Sequence, residues 1–357
     1  MEHLSLPNEM LASIFVHLAP DDLYECTLVS RRLRAVAERL LYTSVTLSDV
    51  LPLASLSVPP SMSMSIAGGS IGYRCQTYAC PPSLPSPLPH RTRSFCSTIL
   101  KRQDLAEYVK RLTVRWHPEL ASPSSSSGEM ELPYICADTV LVSVHGRPDV
   151  LRYILPVLQE LNAALRTLPA LESLDLALGL PGTGLDPHIV LEHCTFAHLR
   201  YFALSGVGRG ALPPKVFPSP TPTAGLSAFL VRSPQLQHLR LTDCYEPLQL
   251  PPDALPVLSA FRGSAPTAAS VLPGRPVQLL SIIGDRFVTE ASLRAIASTK
   301  EGTTIRWLDL SGMSVTPLLL RDFSKHLGSG VEFLKVKLAL RHTLHHALSG
   351  IVRSSRI

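Results

Sequence analysis

The first 45 residues carry apolar side chains at the spacing of amphipathic helices. In the first segment they recur every three or four positions, at Met10, Leu11, Ile14, Phe15 and Leu18. Ala19-Pro20 ends this predicted helix, and Asp21 and Asp22 are suitable N-terminal caps for a second, short one. Ser30 is the predicted cap of a third helix.

The third predicted helix has one apolar and one basic face. We expect its inward side chains to be Leu33, Val36, Leu40 and Leu41, and its outward ones to be Arg31, Arg32, Arg34 and Arg39. Three helices of this length bury too little surface to be stable alone. We therefore expect the block to dock against a partner or against the rest of its own chain.

A second pattern fills most of the remaining chain. It reads apolar–x–x–apolar–x–apolar, a turn followed by a short strand. It occurs at Val109-Leu112-Val114, Leu171-Leu174-Leu176, Leu199-Phe202-Leu204, Leu236-Leu239-Leu241, Val277-Leu280-Ile282, Ile305-Leu308-Leu310 and Val331-Leu334-Val336, with a degraded copy at Leu258-Phe261. Most steps between copies fall in or near the window of about 20–29 residues that is typical of leucine-rich repeats.

Helical patterns lie between these predicted strands. One begins at a capping Thr289, and another at Thr316 with Pro317 in its first turn. A longer leucine-rich helix is predicted from Asp149 to Thr167, interrupted at Pro156. Because a single strand–helix unit leaves an apolar edge open, neighbouring units are expected to stack into a continuous solenoid.

Composition and charge narrow the class of protein. The chain is 45% hydrophobic and 17% charged, which excludes disorder over its whole length. We expect neither a membrane span nor a signal peptide. The 7 scattered cysteines indicate reduced thiols, and hence the cytoplasm or the nucleus. Net charge is +5, with a basic C-terminus; without interleaved aromatic residues, we do not expect nucleic-acid binding.

The chain lacks a recognisable catalytic or metal-binding constellation. His342, His345 and His346 share a predicted helical face, but no acidic or cysteine ligand stands nearby. Cys75 and Cys80 do not have zinc spacing. The glycines of 206–210 are not followed by the helix start that a phosphate loop needs. We therefore predict no enzyme activity, no metal and no cofactor.

Three aspartates accompany the predicted strands and face away from the leucine anchors: Asp175, Asp243 and Asp309. They are interpreted as solvent-facing strand residues. The alternative is that they line a binding surface on the concave face of the solenoid.

The N-terminal block resembles the F-box family. The resemblance runs from Leu6-Pro7 through Leu28-Val29-Ser30-Arg31 to the closing Leu40-Leu41-Tyr42. One departure is Leu33, where many members carry Trp, although an apolar side chain is retained. The resemblance implies an adaptor whose F-box binds a Skp-family linker protein and, through it, a cullin.

The resemblance carries the linker contacts over by position to Leu6, Pro7, Ile14, Leu18, Leu23, Val29, Ser30 and Leu33. For Ile14, Leu18 and Leu23, packing within the block is an equally open interpretation.

The leucine-rich remainder is similar to that of fungal F-box proteins with irregular leucine-rich C-terminal regions. The segment 95–109, followed by Leu112, resembles the one that those proteins place soon after the F-box. Here the Pro-, Ser- and Gly-rich residues 52–93 intervene. They are either an insertion or translated intron sequence, and the sequence leaves both interpretations open.

The predicted fold class is α plus α/β. It comprises a three-helix F-box (1–48), a linker or insertion predicted to be disordered (49–93), an irregular leucine-rich-repeat-like α/β solenoid (94–348) and a basic tail (349–357). The hypothesis for function is a non-catalytic substrate adaptor of a Skp–cullin–F-box type ubiquitin ligase. The alternatives are an F-box scaffold acting outside ubiquitin ligases, and a leucine-rich scaffold that the helical block merely caps. The identity of the protein substrate is not readable from the sequence.

Overall fold

A computed structural model describes residues 6–51, 89–118, 148–180, 188–206, 223–284, 288–298, 305–327 and 330–337. The interior of the predicted linker, the histidines at 342–346, Cys75, Cys80 and the basic tail lie outside these residues.

The N-terminal block consists of three helices with a small core of its own. They are α1 (Asn8–Phe15), α2 (Pro20–Val29) and α3 (Arg31–Thr43). The predicted cap of α3 is confirmed, since Ser30 Oγ accepts a hydrogen bond of 3.2 Å from Leu33 N. α2 begins one residue before the predicted caps because Pro20 itself occupies its first turn. Phe15, Leu23, Val36 and Ala37 are the buried centre of the block.

Nine parallel strands form one sheet among the described residues, and each strand pairs with the next one along the chain. The strands are β1 (Ser44–Leu51), β2 (Arg111–Pro118), β3 (Ser173–Ala177), β4 (Tyr201–Ser205), β5 (His238–Leu241), β6 (Ala260–Gly263), β7 (Leu279–Ile283), β8 (Trp307–Gly312) and β9 (Phe333–Val336). All eight segments that the repeat pattern predicts as strands, including the degraded copy, coincide with β2 to β9.

The apolar anchors lie in register across the sheet. Leu112 pairs with Leu174, which pairs with Phe202, and the alignment continues from strand to strand. These anchors are buried up to β8, whereas Leu334 on β9, the last described strand, is half-exposed. One ridge of side chains therefore runs through the length of the sheet.

Helices cover the anchor face of the sheet. They are α4 (His90–Lys101), α5 (Gln103–Ala106), α6 (Pro148–Leu165), α7 (His188–Leu191), α8 (Thr223–Val231), α9 (Ala265–Val271), α10 (Glu290–Ala297) and α11 (Pro317–Leu327). Their apolar side chains, such as Ile99, Leu161 and Phe323, belong to the same buried cluster as the strand anchors. The other face of the sheet carries no described helix and is called the open face below.

The predicted caps of the two C-terminal helices are confirmed. Thr289 Oγ1 accepts a hydrogen bond of 3.1 Å from Ser292 N, and Thr316 Oγ1 accepts one of 3.2 Å from Leu319 N. The predicted interruption at Pro156 is wrong, because α6 runs continuously through this residue. Pro156 lies on the exposed side of the helix, and burial of the opposite side outweighs the cost of about 3 kcal/mol for an internal proline.

Strand β1 was not predicted and changes how the helical block joins the sheet. Helix α3 ends at Thr43 and β1 begins at the next residue, so no linker separates the block from the sheet. β1 pairs with β2 over its whole length, from Ser44 opposite Arg111 to Leu51 opposite Pro118. The sheet therefore starts before residue 49, where the predicted linker was expected to begin. Helix α4 starts before residue 93, where that linker was expected to end.

A buried aspartate closes the gap between β1 and α4. Asp49 Oδ1 accepts a hydrogen bond of 2.9 Å from Arg91 N, and Oδ2 accepts bonds from Thr92 N (2.9 Å) and Thr92 Oγ1 (2.7 Å). Thr92 Oγ1 in turn accepts a bond of 2.9 Å from Trp116 Nε1 on β2. The carboxylate thus caps the N-terminus of α4 and holds the two ends of the segment 52–88 together.

Candidate protein-binding site

One side of α1 exposes a row of apolar side chains. Leu6, Met10 and Ile14 are 45%, 52% and 49% exposed, and they are spaced by four residues. Since residues four apart lie on the same side of a helix, these side chains form a stripe that continues from the chain just before α1. Leu11 and Phe15 pack on the opposite side, against the core of the block.

Helix α2 exposes a second apolar group. Tyr24, Leu28 and Val29 are each more than half exposed, and Val29 reaches 71%. Isolated apolar residues on a surface need no explanation, but two groups on adjacent helices of so small a block do. These two groups are therefore the candidate surface for a partner.

The structure divides the eight residues predicted to contact a linker protein into three groups. Leu6, Pro7, Ile14, Val29 and Ser30 are exposed. Leu18 and Leu33 are partly buried against the core of the block. Leu23 is only 7% exposed and belongs to that core, so its burial favours the alternative of packing within the block.

Sequence reasoning missed other exposed apolar residues of the block, among them Met10, Tyr24 and Leu28. Met10 was not distinguished from the packed residues of the helix because Met10, Leu11 and Ile14 all satisfy helical spacing. The spacing alone does not separate the two sides, because Leu11 and Phe15 are also four residues apart.

Arg32 holds the start of the exposed stripe in place. Its Nε donates a hydrogen bond of 2.9 Å to Asn8 Oδ1, and its Nη2 donates to the carbonyl oxygen of Leu6. The extended Leu6-Pro7 segment is thereby tied to α3. Arg32 was predicted to face outward; it does so, while acting as a positioning residue for the stripe.

Two contacts from α3 attach the block to the sheet region. Arg102 forms a bidentate pair with Glu38, with distances of 2.8 and 2.9 Å, and also contacts Asp104. Arg39 lies over the ring of Tyr108, 5.9 Å from its centroid. These contacts are largely exposed and contribute modestly to stability, but they orient the helical block relative to β1.

The three aspartates of the sheet differ in their surroundings. Asp175 Oδ2 lies 3.7 Å from Arg115 Nη2 on the open face. Asp309 Oδ1 accepts hydrogen bonds from Ser311 N (2.9 Å) and Ser311 Oγ (2.6 Å). Burial raises the pKa of Asp243, although a hydrogen bond from Gly206 N lowers it in part. Asp243 is therefore a turn residue, whereas Asp175 and Asp309 remain on the open face.

The buried thiols are not activated nucleophiles. Burial raises the pKa of Cys96 to about 12 and that of Cys194 also to about 12. Protonated thiols react slowly because the thiolate is the nucleophile. Within the described ranges, no group of three or more His, Cys, Asp or Glu side chains is placed to hold a metal ion.

We predict that Cys96 and Cys194 in the folded protein resist iodoacetamide at pH 8. Their raised pKa lowers the thiolate fraction, so alkylation should be about 10²–10³-fold slower than in urea, as measured residue by residue with mass spectrometry. Cys26, which is partly exposed, is the internal comparison. Equal rates for Cys96 in native and urea-treated protein would contradict the raised pKa.

The same shift predicts the direction of a pH effect on stability. Since folding raises these pKa values, the unfolded chain loses the thiol protons first as pH rises above about 9. The free energy of unfolding should therefore fall above that pH. A variant that combines Cys96→Ala with Cys194→Ala should show a smaller change of this free energy with pH.

Comparison with known protein families matches residues 3–48 to the F-box-like family. A search of curated proteins finds no match to the chain. None of the described helices is long and apolar enough to cross a membrane. The matched range covers the three helices with both exposed apolar groups and the first residues of β1. The N-terminal block that carries this surface is an F-box-like domain.

Proposed function

We propose that this protein is a non-catalytic substrate adaptor of a Skp–cullin–F-box type ubiquitin ligase. In this role the F-box-like domain binds a Skp-family linker protein, which connects the chain to a cullin, and the sheet region binds a protein substrate. The observation that carries the proposal is the F-box-like match over residues 3–48. F-box domains generally bind linkers of this family. A protein in this role acts in the cytoplasm or the nucleus.

The exposed apolar residues of α1 and α2 support linker binding. The helical block buries only four apolar side chains in its own core, yet exposes Leu6, Met10, Ile14 and Val29. A docking partner would remove this apolar surface from water, at about 25 cal/mol per Å² buried. The predicted contacts Leu6, Pro7, Ile14, Val29 and Ser30 remain on the accessible surface, as binding requires.

We further propose that the sheet region is an irregular leucine-rich-repeat-like α/β solenoid that presents the substrate. Its support is the sequential order of the nine parallel strands and the continuous ridge of anchors along them. Helices cover one face, which leaves the open face for a partner.

Two alternatives remain testable. The first is an F-box scaffold that binds its linker but acts outside ubiquitin ligases; recovery of a cullin with the chain and its linker distinguishes the two. The second is a block that serves only to cap the sheet, which is favoured by the direct junction of α3 with β1. In that case the block would stabilise the sheet without binding a linker.

We expect the full chain to bind a purified Skp-family linker, and Leu6→Ala with Pro7→Ala to weaken this binding at least about tenfold, since residues at the centre of an interface carry most of its energy. Both side chains are exposed, so the thermal unfolding of the free chain should be unchanged. Binding is measured by surface plasmon resonance and stability by circular dichroism.

Leu318→Ala is the matched control, because Leu318 is equally a half-exposed leucine but lies on α11. This variant should bind the linker like the unmodified chain. Absence of linker binding by the unmodified chain would overturn the proposed function. Unchanged binding by the double variant would remove Leu6-Pro7 from the interface.

A further inference from the structure

The open face of the sheet carries two rows of side chains that alternate with the buried anchors. In each strand, the residue just before the second of the three apolar positions of the repeat belongs to the first row. The residue just after it belongs to the second row. The first row includes Tyr201, His238, Leu279, Trp307 and Phe333, and the second includes Arg240, Arg262, Ser281, Asp309 and Lys335, all in register from strand to strand.

The part of the first row on β7 to β9, formed by Leu279, Trp307 and Phe333, is apolar and exposed. Trp307 and Phe333 stack with their ring centroids 5.3 Å apart, and Leu279 beside Trp307 is 42% exposed. Large apolar side chains on a face that no described element covers are characteristic of protein interaction sites.

The second row places two arginines in register on adjacent strands. Arg240 pairs with Arg262 across β5 and β6, and neither forms an ion pair or donates a hydrogen bond among the described residues, although Asp243 attracts Arg240 and Asp309 attracts Arg262 electrostatically. Nε of Arg262 is buried and has no hydrogen-bond partner within the described ranges. Two neighbouring like charges repel each other, and a desolvated donor costs free energy unless an acceptor reaches it.

An open cavity of about 590 Å³ joins the two rows. Its lining includes Tyr201, Arg240, Arg262, Ser281 and Trp307. Asp309 also contributes to it, but its carboxylate already accepts hydrogen bonds from Ser311, and Ser281 Oγ lies 3.3 Å from Asp309 Oδ2. This carboxylate disfavours a second anion above β8, so an anionic group is directed to the Arg240–Arg262 pair.

We propose that this cavity binds an extended acidic segment of a partner protein, with an Asp or Glu side chain at the Arg240–Arg262 pair and an aromatic or aliphatic side chain at Leu279 and Trp307. This inference rests on the proposed function, under which the partner protein is the substrate. Guanidinium groups bind carboxylates through charge-assisted, often bidentate hydrogen bonds, and such a ligand relieves the repulsion between the two arginines.

The register of the strands sets the spacing within the bound segment. Arg262 on β6 and Trp307 on β8 are two strands apart and offset by two residues along the strands, which amounts to about 12 Å. An extended peptide covers about 3.3 Å per residue, so three to four positions should separate the acidic from the apolar residue.

A phage-displayed library of random dodecapeptides, selected on the full-length chain, tests the proposal. We expect the selected peptides to share an acidic residue three or four positions from an aromatic or aliphatic one. For a fluorescent peptide of the selected sequence, Arg240→Gln and Arg262→Gln should each weaken binding about tenfold, the loss of one charged hydrogen bond. Trp307→Ala should weaken it to a similar extent.

Arg111→Gln is the matched control, because Arg111 is an exposed arginine of β2 on the same face but outside the cavity. It should leave peptide binding unchanged. The proposal is overturned if no acidic peptide is selected, if binding survives both arginine substitutions together, or if a single-stranded oligonucleotide binds more tightly than the peptide. Linker binding by the same variants is measured in parallel. If the chain does not bind the linker, the adaptor role alone is contradicted. If the chain binds the linker but Arg240→Gln and Arg262→Gln do not weaken peptide binding, this site alone is contradicted.

Discussion

Deletion of residues 1–51 is expected to destabilise the whole sheet, whereas deletion of residues 1–43 should leave it folded. The longer deletion removes β1, which buries Leu47 and Leu51 and supplies the Asp49 carboxylate that caps α4. Burying each leucine contributes about 1.5–3 kcal/mol. Without Asp49, the backbone N–H groups of Arg91 and Thr92 lose their acceptor, which costs about 1–3 kcal/mol more. Together this loss reaches about 5 kcal/mol, comparable to the whole stability of many domains.

The shorter deletion removes only what the helical block adds to the sheet. It loses the exposed Arg102–Glu38 pair, the Arg39–Tyr108 contact and the partly buried Tyr42, at a cost of about 1–2 kcal/mol. Urea and thermal unfolding, followed by circular dichroism, measure both chains against the full-length protein. If the chain lacking 1–43 unfolds as readily as the chain lacking 1–51, the helical block is a structural cap, as the second alternative holds.

The repeat pattern predicted eight of the nine strands, and the one it missed had the same signal. Tyr42, Val45 and Leu47 stand at the spacing of the other copies, and Val45 and Leu47 pair with the anchors Leu112 and Val114. Tyr42 had been assigned to the end of the F-box pattern, so the copy was not recognised. Tyr42 lies in the last turn of α3 and also packs against the core of the sheet region, as the first position of this copy of the repeat.

Helical spacing identified the docking block but not which of its apolar residues face outward. Leu23 and Ile14 satisfy the same periodicity, yet Leu23 is buried and Ile14 is half-exposed. A short helix with apolar residues on two sides has no single amphipathic face, and the packing of α1 and α2 on α3 decides which side is covered. Only the tertiary structure contains that information.

The basic pair on the open face was within reach of the sequence. Arg240 and Arg262 occupy the same position of the repeat, directly after the second anchor, and pair with each other across the two strands. Whether either arginine forms an ion pair, however, depends on the placement of Asp243 and Asp309, which only the fold determines.

Gly206→Ala is expected to destabilise the protein by about 3–5 kcal/mol, because it combines backbone strain with a backbone collision. Gly206 has a φ of +72°, which costs a residue with a Cβ roughly 1–2 kcal/mol. A Cβ added there would collide with the backbone nitrogen of Gly179, in the turn after the preceding strand. A shift of Gly206 would also disturb the hydrogen bond of 2.6 Å that its oxygen accepts from Leu180 N.

Gly274→Ala separates the two contributions. Gly274 has the same φ of +72°, but a Cβ added there meets no atom within 4 Å. Its substitution should therefore cost only the backbone strain, roughly 1–2 kcal/mol. The difference between the two variants in urea unfolding measures how tightly the turns after β3 and β4 stack. Stacked turns are what a solenoid of strand–helix units requires, so equal effects of Gly206→Ala and Gly274→Ala would count against close stacking and against that architecture.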